Sequence, residues 1–168
     1  MSEHELRDWL RARSLPTASV PIPVDPVAYA AAERGVDRAV EGLRQAMAQG
    51  VANLDPYRGL VQAARAELAA QPVRALQVRC LPPKEWEALV DAHPPSDEQR
   101  KQGWQWHVAS FRPALLAATV REGERGLSAI EWQQVADEGQ MTVGELADLF
   151  AAAVNLNTRS PAPHVGKG

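Results

Sequence analysis

Proline placement constrains this chain more than any other feature. The 13 prolines each remove a backbone donor, fix φ and turn the preceding residue away from the α region, so helices must start at them or stop before them. Pro16, Pro21, Pro23 and Pro26 crowd residues 15–26, which reads as an extended linker. Asp25-Pro26 then offers an N-cap and an N1 proline, and Tyr29, Ala32, Val36, Val40, Leu43 and Met47 advance by three or four residues as far as Gly50, predicting a helix over 26–49. Asp55-Pro56 repeats the start, with Tyr57, Val61, Ala64 and Leu68 as the stripe before Pro72. Two striped helices joined by about five residues make an antiparallel hairpin, because neither stripe can be buried alone. The Ala-rich faces leave a thin core and a face open to a partner.

Past Pro72, Val73 to Cys80 alternates apolar and polar residues, the period of a strand with one buried face. Pro82-Pro83 ends it. Lys84 to Val90 reads as a helix burying Trp86, Leu89 and Val90, and Trp104, Trp106 and Val108 alternate as a candidate second strand. A further helix over Phe111 to Val120 has Pro113 in its first turn. Capping-box spacings at Ser2/Glu5, Ser128/Glu131 and Thr142/Glu145 open helices near 3–13, 129–138 and 143–156. The expected fold is mainly α with minor β: an N-terminal αα-hairpin followed by a small helical domain with one or two short strands. The expected divisions are a short amphipathic helix (1–14), a proline-rich linker (15–25), the hairpin (26–72), the helical domain (73–157) and a flexible tail (158–168).

Composition excludes several functions. The net charge of −3 is spread evenly, with 8 basic against 9 acidic residues up to Pro72 and 10 against 12 after it, so no basic half marks a nucleic-acid partner. No apolar run reaches a membrane span, and the MSEHELRDWL start lacks signal-peptide order. Cys80 is the one cysteine, so no intrachain disulfide forms, as suits a reducing compartment. Lys occurs only at 84, 101 and 167 and Ile only at 22 and 130, the codon bias of a GC-rich genome.

Catalytic, cofactor and metal sites are expected to be absent. Cys80 with His93 or His107 is the available nucleophile and base, but no glycine turn or oxyanion motif surrounds it. His4, His93, His107 and His164 have no ligand spacing, and the pairs Glu85/Glu87, Asp97/Glu98 and Asp137/Glu138 fit solvated faces or helix starts. No phosphate-cradling glycine motif occurs. Trp86, Trp104, Trp106 and Trp132 all follow Pro72, with Trp104 and Trp106 as partner-contact candidates.

Residues 73–157 resemble the tail assembly chaperones of actinobacteriophage-type siphophages. The matching residues are Leu81-Pro82, Glu85-Trp86, Leu89, His93-Pro94-Pro95, Phe111 with Pro113-Ala114-Leu115-Leu116-Ala117-Ala118, then Ile130-Glu131-Trp132 and Gly144-Glu145-Leu146. Trp106-His107 stands where the family usually has Phe-Asn. The resemblance implies a non-enzymatic protein of the bacterial host cytoplasm, absent from the mature virion. Such a protein binds the long helical tape measure protein before the tube polymerises around it. The major tail tube protein, the chain's own frameshifted longer form and a second copy are further implied partners, whereas nucleic acid and membrane are not. Val165-Gly166-Lys167 is compatible with a slippery heptamer for a −1 frameshift. The surfaces expected to meet partners comprise Trp104, Trp106 and Phe111 with Val36, Val40, Leu43, Met47, Val61 and Leu68 on the hairpin. A structural tail or neck adaptor of the virion, and an enzyme built on Cys80, are the competing readings.

Overall fold

A computed structural model describes residues 2–159. In chain order it contains α1 (Glu3–Ala12), β1 (Thr17–Pro23), α2 (Pro26–Ala48), α3 (Asp55–Ala69), β2 (Val73–Arg79), α4 (Pro83–Asp91), α5 (Asp97–Lys101), α6 (Val108–Thr119), β3 (Val120–Arg121), α7 (Ala129–Asp137) and α8 (Val143–Thr158). The fold is mainly helical with one small three-stranded sheet, ordered β1-β2-β3. Two compact units are present among the described residues: Pro21–Arg74, and residues 2–20 with 75–159. The frameshift motif at 165–167, His164 and all but the first two residues of the tail expected over 158–168 lie outside the described residues.

The segment expected to be a linker is strand β1. Pro16 O accepts from Cys80 N at 3.1 Å and Val24 N donates to Pro72 O at 3.0 Å, so the even-numbered backbone groups face β2 and the pairing is antiparallel. Alternate residues point their N–H groups to opposite sides. Pro21 and Pro23 therefore turn their missing donors toward the open edge, the one place in a sheet where proline is tolerated. On its other side β2 pairs antiparallel with β3, Val78 opposite Val120 and Gln77 opposite Arg121. The strand expected at 104–108 does not form: Trp104 N closes α5 by donating to Gln99 O, His107 N donates to His93 O, and Val108 opens α6. Because α6 starts there, Pro113 lies inside the helix rather than in its first turn and has no N–H for the Ala109 carbonyl.

In the Pro21–Arg74 unit, Asp25 caps α2 by accepting from Val27 N and Ala28 N, both at 3.0 Å. Asp55 does not cap α3; it is already helical, and Asn53 Oδ1 accepts its N–H at 3.1 Å. Gly50, with φ of +70°, ends α2 in a conformation that costs glycine little. Ala32, Ala46 and Val61 are the buried residues of the two helices. Tyr29, Val36, Leu43, Tyr57 and Leu68 are half-buried.

Three helix-interior glycines, Gly35, Gly42 and Gly59, have no atom within 4 Å of where a Cβ would sit. Alanine at each should stabilise the hairpin by about 0.5–1 kcal/mol, mainly by restricting the unfolded chain. An upward shift of the urea midpoint at constant slope checks this. On α2, Arg44 Nε and Nη2 bind the Glu41 carboxylate, each at 2.8 Å. Those bonds, helped by Gln45, hold the Glu41 pKa down at about 2. The pair's contribution is complete above the ordinary value of 4.5 and is lost as pH falls toward 2. A flatter acid limb of the stability–pH curve in Glu41→Gln checks the pairing.

The other unit is built around Val78, Leu81, Phe111, Leu115, Leu116, Val120, Trp132, Leu146, Leu149 and Ala153, all buried. Thr119, also buried, satisfies its hydroxyl on Leu115 O at 2.7 Å. Ser2, Ser128 and Thr142 form the expected capping boxes, and Ser96 with Gln99 adds a fourth at α5. Helix α8 runs past the expected end at 156, because Asn157 has a structural task. Its Oδ1 accepts from Leu81 N at 2.7 Å while its Nδ2 donates to Ala153 O at 2.8 Å, tying the last turn to the end of β2. Asn157→Ala strands the Leu81 N–H and should cost about 1–3 kcal/mol, whereas Asn157→Asp keeps the acceptor and should cost less. Chemical denaturation of the two variants checks the order.

Candidate partner-binding surfaces

The residues singled out from the sequence fall into two groups. Phe111 is 0% exposed and holds the centre of an aromatic cluster. Trp106 stacks on it with centroids 4.5 Å apart, and Trp86, His93 and Phe150 meet it edge-on at 5.8, 6.0 and 6.2 Å. This geometry suits the ring quadrupoles and anchors α4, α6 and α8 on one residue. Phe111 is core, not surface. Val61 is likewise buried in the hairpin seam.

Accessible surface remains at the others. Trp104 is 48% exposed, its Nε1 donating to Gln102 Oε1 at 3.3 Å, and Trp106 is half-buried beside it. On α2 the expected stripe splits. Its buried residues are Ala32 and Ala46, and Val36, Ala39 and Leu43 are half-buried, as is Leu68 on α3. Val40 and Met47 are 41% and 60% exposed. Met47 follows Ala46 and so stands about 100° round the helix from it. Small residues at 32, 35, 39, 42 and 46 were the signal that the buried line is displaced from the large apolar residues. Leu60 on α3, 61% exposed, and the face of Leu6, Trp9 and Leu10 on α1, which has no buried residue, were not anticipated as surfaces.

The polar groups near these surfaces do not assemble the Cys–His pair considered from the sequence. The Cys80 thiol donates to Leu81 O at 3.5 Å, and burial pushes its pKa up, away from thiolate. His93 and His107 instead both turn Nδ1 toward Ser110 Oγ, at 2.9 and 3.1 Å, and that hydroxyl donates to His107 O. Among the described residues no group of three or more His, Cys, Asp or Glu is placed to hold a metal ion, and no helix is long and apolar enough to cross a membrane. Comparisons with protein-family models, curated proteins and solved structures found no match to this chain.

Proposed function

We propose that the protein is a tail assembly chaperone of a siphophage, working in the host cytoplasm, that binds the tape measure protein and keeps it soluble until the tail tube forms. The order of segments over residues 73–157 carries this reading. Of the residues of the resemblance, Leu81, Phe111, Leu115, Leu116, Trp132 and Leu146 are buried in one unit, whereas Pro82, Glu85, Pro94, Ile130, Glu131 and Gly144 are exposed. The hairpin adds the means of binding. Val40, Met47 and Leu60 are large apolar side chains exposed on long helices, a surface suited to the apolar stripe of a helical client. Binding through such flanks shields the client without nucleotide hydrolysis. The major tail tube protein, a frameshifted longer form and a second copy of the chain belong to the same proposal as additional partners.

Mass spectrometry of purified virions and of infected-cell lysate tests it. The chaperone role requires the protein in the lysate and its absence from the particle. Fixed stoichiometry in the particle would identify a structural adaptor instead.

A further inference from the structure

A cavity of about 400 Å³ lies among α6, α7 and the first turn of α8, within the size range of small-ligand pockets. Val108, Pro113, Leu116 and Leu146 supply the apolar part of a wall that is nearly half polar, and Arg112 is the one charged side chain lining it. Two donors on side chains that line it are unanswered, Trp132 also lining a second cavity with Val120 and Val135. Arg112 Nε and Trp132 Nε1 are both buried without a hydrogen-bond partner, and Trp132 is only 5% exposed. Buried polar groups are normally paired, so each of these two donors lacks the acceptor it would ordinarily have.

No neighbouring residue supplies it. Gln99 Oε1 accepts from Ser96 N at 3.0 Å, and Gln133 donates Nε2 to Asp137 Oδ1 at 2.9 Å while its Oε1 bonds neither donor. Among the described residues no carboxylate pairs with Arg112. Its guanidinium carbon instead sits 5.4 Å from the centroid of the Phe150 ring, a stacking that occupies its face and leaves the in-plane N–H groups for an oxyanion.

We propose that this cavity binds a carboxylate carried on an apolar stem. The oxyanion takes the Arg112 guanidinium and the Trp132 indole N–H, and the stem packs on Val108, Pro113, Leu116 and Leu146. A free organic acid and a glutamate side chain of a partner polypeptide share this chemistry. The site is independent of which client the hairpin binds.

The test is a titration of the full chain followed by the indole ¹H–¹⁵N resonances, with the Trp132 signal identified by its loss in Trp132→Phe. 3-Phenylpropionate should move that resonance and its neutral counterpart 3-phenylpropanamide should not. Arg112→Gln should weaken the acid about tenfold, the loss of one charge-assisted hydrogen bond. Equal shifts from acid and amide, or none from the acid, would overturn the proposal. The acid–amide comparison on the unmutated protein decides it even if Arg112→Gln fails to fold. A Leu/Ala helical peptide with one glutamate, compared with its glutamine twin, then separates the sources. Tighter binding of the glutamate peptide than of the free acid indicates a polypeptide ligand, and the reverse order a small molecule.

Discussion

Phe111→Ala should remove about 3–5 kcal/mol from the stability of the unit that contains it. Few substitutions elsewhere in the chain approach that figure. The ring is fully buried and is the common neighbour of Trp86, Trp106, His93 and Phe150, so its deletion leaves a cavity lined by large rigid side chains that cannot collapse into it. A domain with the usual 5–15 kcal/mol of stability is left marginal by such a loss. Phe111→Leu preserves part of the volume but forfeits the stack on Trp106, and about 1–2 kcal/mol is expected. Urea denaturation followed by tryptophan fluorescence ranks the three proteins. An alanine variant as stable as the unmutated chain would refute the aromatic core.

The second large effect is on binding and not on folding. Val40→Glu combined with Met47→Glu places two charges on the exposed flank of α2. Both side chains are more than 40% exposed, so stability should change by no more than about 0.5 kcal/mol for each. Under the proposed function, solubilisation of the tape measure protein should nonetheless be lost, because a charge buried against an apolar client has no partner. Arg34→Gln with Arg38→Gln, exposed on the same helix, lowers the net charge equally and should leave that solubilisation intact. Full activity of the glutamate pair, measured by co-expression and sedimentation, would remove this flank from the binding surface.

What was legible in the sequence follows the strength of local signals. The apolar periods of α2 and α3, the alternation over residues 76–80 and the capping boxes at Ser2, Ser128 and Thr142 are strong local signals, and the structure contains those elements. The failures occur where a local rule met a tertiary one. Prolines 21 and 23 argued against a strand, but their two-residue spacing puts both at the open edge of β1. Trp104 and Trp106 alternate as a strand would, yet the first closes α5 and the second stacks on Phe111. Helix α5 is five residues long with no apolar stripe, so its capping box passed unnoticed. Asn157 looked like the edge of a tail because its importance lies in a bond to Leu81, 76 residues away.

The candidate surface was less legible than the fold. Periodicity identifies which residues are apolar, but the depth to which each is buried depends on how closely two helices approach. Alanines on α2 allow the approach to centre on Ala32 and Ala46, which turns Val40 and Met47 outward. The orphaned donors of Arg112 and Trp132 lie 20 residues apart on different helices and leave no pattern in the chain.

The most direct measurement is co-expression of this protein with the tape measure protein of the same genome, with the soluble fraction assayed after centrifugation. A tail assembly chaperone brings the tape measure protein into the supernatant and co-purifies with it. A tape measure protein equally insoluble with and without this chain, or soluble but unassociated with it, would contradict the proposed function.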